Sequence, residues 1–242
     1  MIATLALLLA IASPTEQSQQ LVVVTSSSWT AISARLQRFE KVEAKWKAVG
    51  PPVDVVVGDG GLGWGIGLHE FASGPGDPRK REGDGRAPAG VFALTRAFGK
   101  GGVPQTKLPA HTIEADDVCV DDVKSPAYNT LQLEAAAPDA GPRSWDSFEP
   151  LLRPDAVYDL FVVVDHNHIE RTIGAPAPIK GAGSCVFLHL WKRPGAPTIG
   201  CTGMSVATLT DVVMWLDPAK QPLLVQLPRE VYARVRDPWQ LP

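Results

Sequence analysis

Glycine and proline interrupt this chain often enough to favour short strands and turns over a bundle of long helices. Its 242 residues include 22 glycines and 22 prolines. Between these breaks lie short runs rich in valine and leucine at 21–25, 53–57, 158–164 and 223–227. Runs of this length and composition are typical of buried strands. We therefore predict a mainly β fold, a β sandwich or mixed sheet with one or two short helices, in a single domain over residues 21–242.

One alternating run, at residues 185–191, places a histidine on a strand face. Cys185, Phe187, His189 and Trp191 share one side of this strand, and the residues between them share the other. Prolines and glycines after Trp191 then end the strand in a loop.

This loop leads to Cys201, which follows a glycine and precedes a predicted helix. Ser205 suits the N-cap of that helix, and Pro218 stops it. The inner face consists of Leu209, Val212, Val213 and Leu216. A cysteine near a helix N-terminus and an imidazole has a lowered pKa, which favours the nucleophilic thiolate. The sequence thus predicts Cys201 as a nucleophile and His189 as its base.

The residues around this pair resemble two motifs of the L,D-transpeptidase catalytic domain, the YkuD-like family of bacterial cell-wall enzymes. The motifs here are FLHLW at 187–191 and PTIGC at 197–201. A third match, PAGVF at 88–92, extends the resemblance over about residues 58–227. The chain departs from the family pattern at Ile199, where histidine is frequent, and at Gly203, where arginine is frequent.

The resemblance implies acyl transfer between peptidoglycan stem peptides. Cys201 would attack the carbonyl of the L-centre of the third residue, D-Ala would leave, and an amine of another stem would take the acyl group from the thioester. Backbone N–H groups from Gly200 to Thr202 would hold the oxyanion. Two alternatives stay open, an L,D-carboxypeptidase on the same scaffold and a non-catalytic wall-binding module.

The expected substrate contacts and partners follow from the same resemblance. The residues assigned to substrate binding are Trp191, His166, Asn167 and Thr198. Stem peptides are the expected partners of a monomeric chain, with no cofactor and no membrane anchor. A zinc site built from His166 or His168 with the catalytic pair lacks the usual ligand spacing, so we expect no metal. The net charge of −3 argues against nucleic acid.

Several other segments carry weaker signals. Residues 31–49 show apolar residues at helical spacing, whereas the resemblance implies a hairpin across 34–39 and 44–49, which we adopt. The GxGxxG pattern at 58–63 is interpreted as a glycine-rich strand or hairpin, because more glycines follow where a nucleotide-binding helix would begin. The basic residues 79–81 are interpreted as solvated surface. We expect an acidic loop at 115–128.

The cysteines and the N-terminus bear on the cellular compartment. Residues 1–12 form an apolar run that ends in Ala-Ile-Ala, as at a signal-peptidase site, so 1–20 is predicted to be a signal peptide and disordered terminus. We expect export to the periplasm or cell wall. The chain has three cysteines, so Cys119 and Cys185 either form a disulfide or remain two buried thiols.

Residues 145–152 are predicted to form a loop and short helix near the cleft.

Overall fold

Strands account for most of the regular structure in residues 13–70, 74–133, 143–170 and 176–242, which the computed structural model describes. The strands of the first half are β1 Gln20–Ser26, β2 Ser33–Val42, β3 Lys45–Val56, β4 Leu62–Trp64, β5 Ala87–Gly99, β6 Ala110–Thr112 and β7 Val118–Val120. Those of the second half are β8 Thr130–Gln132, β9 Glu149–Pro150, β10 Leu160–Val164, β11 Phe187–Leu190, β12 Thr202–Met204 and β13 Leu223–Pro228. The α-helices are α1 Val206–Trp215 and α2 Arg229–Val235.

The main sheet closes on itself. Its strands run in the order β10, β11, β12, β3, β2, β1, β13, β5, and β5 pairs again with β10. β4 and β6 pair with β5 at its two ends. The pairs β1–β13 and β11–β12 are parallel, whereas β2–β3 and β10–β11 are antiparallel. This closed, mixed sheet confirms the predicted mainly β class and encloses the larger of two hydrophobic cores.

Residues 31–49 form a hairpin and no helix. β2 pairs with β3 from Ser33↔Val56 to Val42↔Lys45, and a two-residue turn joins the two strands. Both turn residues have positive φ, 51° at Glu43 and 60° at Ala44, as tight hairpin turns require. β2 also pairs with β1, so hydrogen bonds on both edges outweigh the helical spacing of its apolar residues.

The N-terminal segment is ordered from Ser13 onward, so the expected disorder of residues 13–20 is wrong. The hydroxyl groups of Ser13 and Thr15 donate hydrogen bonds to Trp239 O at 2.8 and 2.5 Å. Trp239 is itself buried, so the C-terminal tail packs back on the sheet and holds the N-terminal segment there. The proposed signal sequence at residues 1–12 lies outside the described residues.

A second, smaller core lies beside the closed sheet. It packs between β10, β11 and a three-stranded sheet of β8, β7 and β9. The Cys119–Cys185 disulfide joins β7 of this small sheet to the residues just before β11, with 5.9 Å between the two Cα atoms. Of the two alternatives for this pair, the structure therefore shows the disulfide. The bridge fixes the small sheet over the end of β11.

Two loop predictions are corrected by these strands. The predicted short helix in 145–152 is absent, because Glu149 and Pro150 pair with β7 instead. The acidic segment 115–128 is not wholly a loop, since it contains the buried strand β7.

The glycine-rich segment 58–63 packs tightly against other backbone, as predicted. A Cβ on Gly61 would lie 2.1 Å from Trp29 O, and one on Gly58 would lie 2.0 Å from Gly85 O. Only glycine fits at either position, so close packing explains the pattern without a nucleotide.

The predicted helix after Cys201 is present as α1. Ser205 caps it by accepting a hydrogen bond from Thr208 N at 3.1 Å, and Leu209, Val212 and Val213 are buried beneath it. Neither α1 nor any other helix in the described part of the chain has the length and apolar character to span a bilayer.

Candidate active site

His189 and Cys201 line one cavity of about 390 Å³. The cavity opens where the end of β11 meets the turn at 197–201. Its wall also carries ionisable side chains of both signs: Lys80, Glu82, Asp121, Glu149, Arg153, Asp155 and Lys192. The volume falls in the range of small-molecule and peptide sites, about 300–1,000 Å³.

The parallel pairing of β11 with β12 places His189 and Cys201 on neighbouring segments of the sheet. Leu188 pairs with Thr202 and His189 with Gly203, so Cys201 enters β12 beside the strand that carries the histidine. The alternation predicted for 185–191 is confirmed, because Cys185 and Phe187 lie in the smaller core and the residues between them in the larger one. Cys201 belongs to the smaller core as well.

Tyr158 lies close to both His189 and Cys201. Its ring packs edge-on against the His189 imidazole, with 5.3 Å between the ring centroids. The pKa of Tyr158 is raised well above its usual value, first by burial and then by the neighbouring Cys201. Tyr158 therefore lies within electrostatic range of the sulfur while its ring contacts the imidazole.

His189 is held as a neutral imidazole with one defined tautomer. Nδ1 lies 2.8 Å from Leu190 O, and because a carbonyl only accepts, Nδ1 carries the proton. Burial lowers the pKa of His189 to about 4. Nε2 is therefore unprotonated at neutral pH and has a lone pair to accept a proton.

Cys201 is held as a neutral thiol, which corrects the predicted thiolate. It is 8% exposed, and burial raises its pKa to about 12. Sγ accepts a hydrogen bond from Phe187 N at 3.3 Å and lies 3.5 Å from Cys185 O, to which it donates. The predicted helix-dipole effect is wrong, because β12 and the cap Ser205 separate Cys201 from the start of α1.

The turn before Cys201 is braced by Thr198. Its hydroxyl donates to Cys201 O at 2.7 Å and accepts from Gly200 N at 3.2 Å. The Gly200 N–H predicted to hold an oxyanion is thus engaged within the turn. The Cys201 N–H belongs to the same expected set of donors, from Gly200 to Thr202. Thr202 is buried in β12, where its hydroxyl donates to Gln226 Oε1 at 2.7 Å.

The residues predicted to bind substrate divide into two pairs. Trp191 and Thr198 line the cavity, and His166 and Asn167 lie in the interior and are not part of its wall. His166 Nδ1 accepts from Ile66 N at 3.2 Å and its Nε2 donates to Ala182 O at 3.0 Å. The amide of Asn167 binds Ile179 and Gly183 backbone in the same loop. This second pair thus holds the loop that leads to Cys185.

Three histidines are each buried, and we call them the buried histidines: His69, His166 and His189. Burial lowers the pKa of each, to about 4 for His69, about 3 for His166 and about 4 for His189. All three are neutral at physiological pH.

Several residues of the cavity wall were missed by the sequence analysis. Tyr158 donates to Glu149 Oε2 at 2.6 Å, and burial raises the pKa of that carboxyl. Glu82 accepts from Ser184 Oγ at 2.8 Å and from the Tyr128 hydroxyl. Nothing in the local pattern marks these pairs, because each joins residues of separate segments.

Lys80 is the clearest correction among the wall residues. It belongs to the basic triplet interpreted as solvated surface, yet its side chain is 5% exposed. Asp84, four residues later between two glycines, was the available signal of a folded turn, and it pairs with Lys80 at 2.9 Å.

Comparison with known proteins gives no assignment of this site. No protein-family model, no curated protein and no solved structure matches the chain. Within the described ranges, no three histidine, cysteine, aspartate or glutamate side chains are grouped so as to hold a metal ion. The function must therefore be argued from the cavity itself.

Proposed function

We propose that this chain is a cysteine acyltransferase, an L,D-transpeptidase that acts on peptidoglycan stem peptides. One observation carries the proposal: the one free thiol of the chain lines a cavity together with a neutral imidazole whose tautomer is fixed. The other two cysteines are bridged, so Cys201 alone is available as a nucleophile. A nucleophile, a base and a carbonyl that orients the base are the groups that covalent acyl transfer needs.

The two neutral groups define how the first step proceeds. As Sγ attacks the peptide carbonyl, its proton passes to His189 Nε2, because neither partner carries a charge beforehand. The tetrahedral oxyanion is stabilised by the backbone N–H of Cys201. The C–N bond then breaks, and the imidazolium returns its proton to the departing D-Ala amine. A thioester on Cys201 and a neutral imidazole remain.

In the second step His189 again takes a proton from the attacking group and gives one to the leaving group. The side-chain amine of an acceptor stem attacks the thioester, and His189 takes the proton that the new amide nitrogen loses. The C–S bond breaks and the sulfur recovers a proton from the imidazolium. Leu190 O supports each cycle, since its bond to Nδ1 strengthens when the ring becomes charged.

The disulfide supports export as part of this proposal. Cys119–Cys185 is a bridge of the kind that persists in oxidising compartments such as the bacterial periplasm. Substrate for the proposed reaction lies in the same place. We therefore propose that the chain acts in the periplasm or cell wall.

Product analysis tests the proposal. A disaccharide tetrapeptide is incubated with the protein, with and without an acceptor stem, and the products are separated by liquid chromatography and identified by mass. Released D-Ala together with a cross-linked dimer is expected. Release of D-Ala with tripeptide alone would replace the transferase with an L,D-carboxypeptidase, and no D-Ala in either reaction would contradict both.

A matched pair of variants ties the reaction to the cavity. His189→Gln removes the base and should reduce D-Ala release by about 10²–10⁴-fold. His168→Gln makes the same change at a histidine that is not part of the cavity wall and should leave the rate within about twofold.

A further inference from the structure

A buried ammonium group lies against the turn that carries Cys201. The Lys80 side chain is 5% exposed and forms part of the cavity wall. Gly183 makes room for it, because a Cβ there would lie 2.8 Å from Lys80 Cε, and a Cβ on Gly200 would be in ordinary contact with Nζ at 3.6 Å. The Nζ group is thus placed beside the residue that precedes Cys201.

This ammonium has a hydrogen-bond donor to spare. A lysine ammonium has three N–H groups. Among the hydrogen bonds of the described residues, Nζ donates to Arg81 O at 2.8 Å and to Asp84 Oδ1 at 2.9 Å. The third N–H remains for a ligand in the cavity that Lys80 lines.

Asp84, the carboxylate paired with Lys80, also accepts hydrogen bonds from two backbone N–H groups. Asp84 Oδ1 also accepts from Arg86 N at 2.9 Å, and Oδ2 accepts from Arg81 N at 2.7 Å. Its carboxylate thus has three donors, of which Lys80 is the charged one. Glu82, another carboxylate of the wall, accepts hydrogen bonds from Ser184 and Tyr128 through Oε2.

The other two cations of the wall are placed differently. Both nitrogens of Arg153 that face Asp155 are used in a two-point ion pair at 2.9 and 3.0 Å. Lys192 is exposed at the rim, where water screens its charge. Lys80 alone combines burial, proximity to Cys201 and an unused donor.

We propose that Lys80 Nζ binds a carboxylate group of the ligand beside Cys201. A carboxylate accepts a charge-assisted hydrogen bond from the third N–H, and the buried setting strengthens that bond. In the proposed function this group is a free carboxylate of the stem peptide, so the identity of the natural ligand rests on that function. The anion site itself does not.

The rates of two alkylating reagents are compared to test the site without any peptide. Iodoacetate and iodoacetamide have the same reactive carbon and differ in carrying a carboxylate or an amide. Only Cys201 is free to react, so intact mass at pH 9 reports on this residue, with Cys201→Ala as the blank. The ratio of the two rates cancels any change in the thiol pKa, which affects both reagents equally.

We expect Lys80→Met to lower the iodoacetate-to-iodoacetamide ratio on the order of tenfold, the loss of one charge-assisted hydrogen bond. Lys192→Met removes the same charge from the exposed rim and should change the ratio by less than about twofold. An unchanged ratio in folded Lys80→Met, or an equal fall in Lys192→Met, would overturn the proposal.

A measurement on the unaltered protein covers the case in which Lys80→Met does not fold. N-acetylglycine should protect Cys201 from iodoacetamide at concentrations where N-acetylglycinamide does not. Equal protection by both compounds, or protection by neither, would overturn the site. Because no turnover is measured, an anion site can be found even where D-Ala release fails, and the two proposals are separable.

Discussion

The neutral state of the His189 and Cys201 side chains leads to a specific pH dependence of Cys201 alkylation. Burial raises the pKa of Cys201 to about 12, so roughly one molecule in 10⁵ carries the thiolate at pH 7. The rate with iodoacetamide should therefore rise about tenfold per pH unit from pH 7 to pH 10, with no plateau near neutrality. His189→Gln should leave this dependence unchanged, because the imidazole has a pKa of about 4 and is neutral throughout the range.

The assay follows the mass of the intact protein over time at each pH, with Cys201→Ala as the blank. Acylation by a stem tetrapeptide should respond differently, since its attack requires His189 to take the proton. We expect His189→Gln to lower that rate by about 10²–10⁴-fold while alkylation changes little. A flat alkylation rate from pH 5 to pH 8 that is lost in His189→Gln would show a thiolate–imidazolium pair and refute the neutral resting state.

Three further predictions concern stability and the turn. The Cys119–Cys185 bridge spans 66 residues, so Cys119→Ser should lower the free energy of unfolding by about 4 kcal/mol; equal urea midpoints with and without the bridge would contradict this. The lowered pKa values of the buried histidines mean that the unfolded chain binds up to three more protons between pH 6.5 and about 4. Their contribution to stability is thus present above pH 6.5 and lost as the pH falls toward 4, by up to about 4 kcal/mol per pH unit, and equal urea midpoints at pH 7 and pH 5 would argue against it. Thr198→Val removes both hydrogen bonds of the turn and should cost about 1–3 kcal/mol and slow acylation, whereas Ile199→Val on the exposed neighbour should do neither.

Features set by local sequence were predictable. The alternation of 185–191 assigned His189 to the same strand face as Phe187, because a strand has a fixed period of two, and its ring contacts Tyr158 of the smaller core. The helix after Cys201 followed from the Ser205 cap and its apolar face. Close backbone packing at Gly58 and Gly61 followed from the density of glycines in that segment.

Features set by contacts between distant segments were not predictable. Residues 31–49 have helical spacing, and their hairpin was predicted only through the resemblance, because the segment itself does not show the pairing with β1 that outweighs its local preference. Lys80 is adjacent in sequence to two basic residues, and its burial against Gly183, about a hundred residues later, is not visible in that local pattern. The pKa of Cys201 was mispredicted for the same reason, since burial by other segments decides it and the sequence shows none of them.

The mass of the intact protein after incubation with a disaccharide tetrapeptide tests the central claim most directly. We predict an adduct with the mass of the acyl tripeptide unit, located on Cys201 by digestion and absent from Cys201→Ala. A folded protein that gains no mass, or an adduct of the same size in Cys201→Ala, would contradict the assignment of Cys201 as the acylated nucleophile.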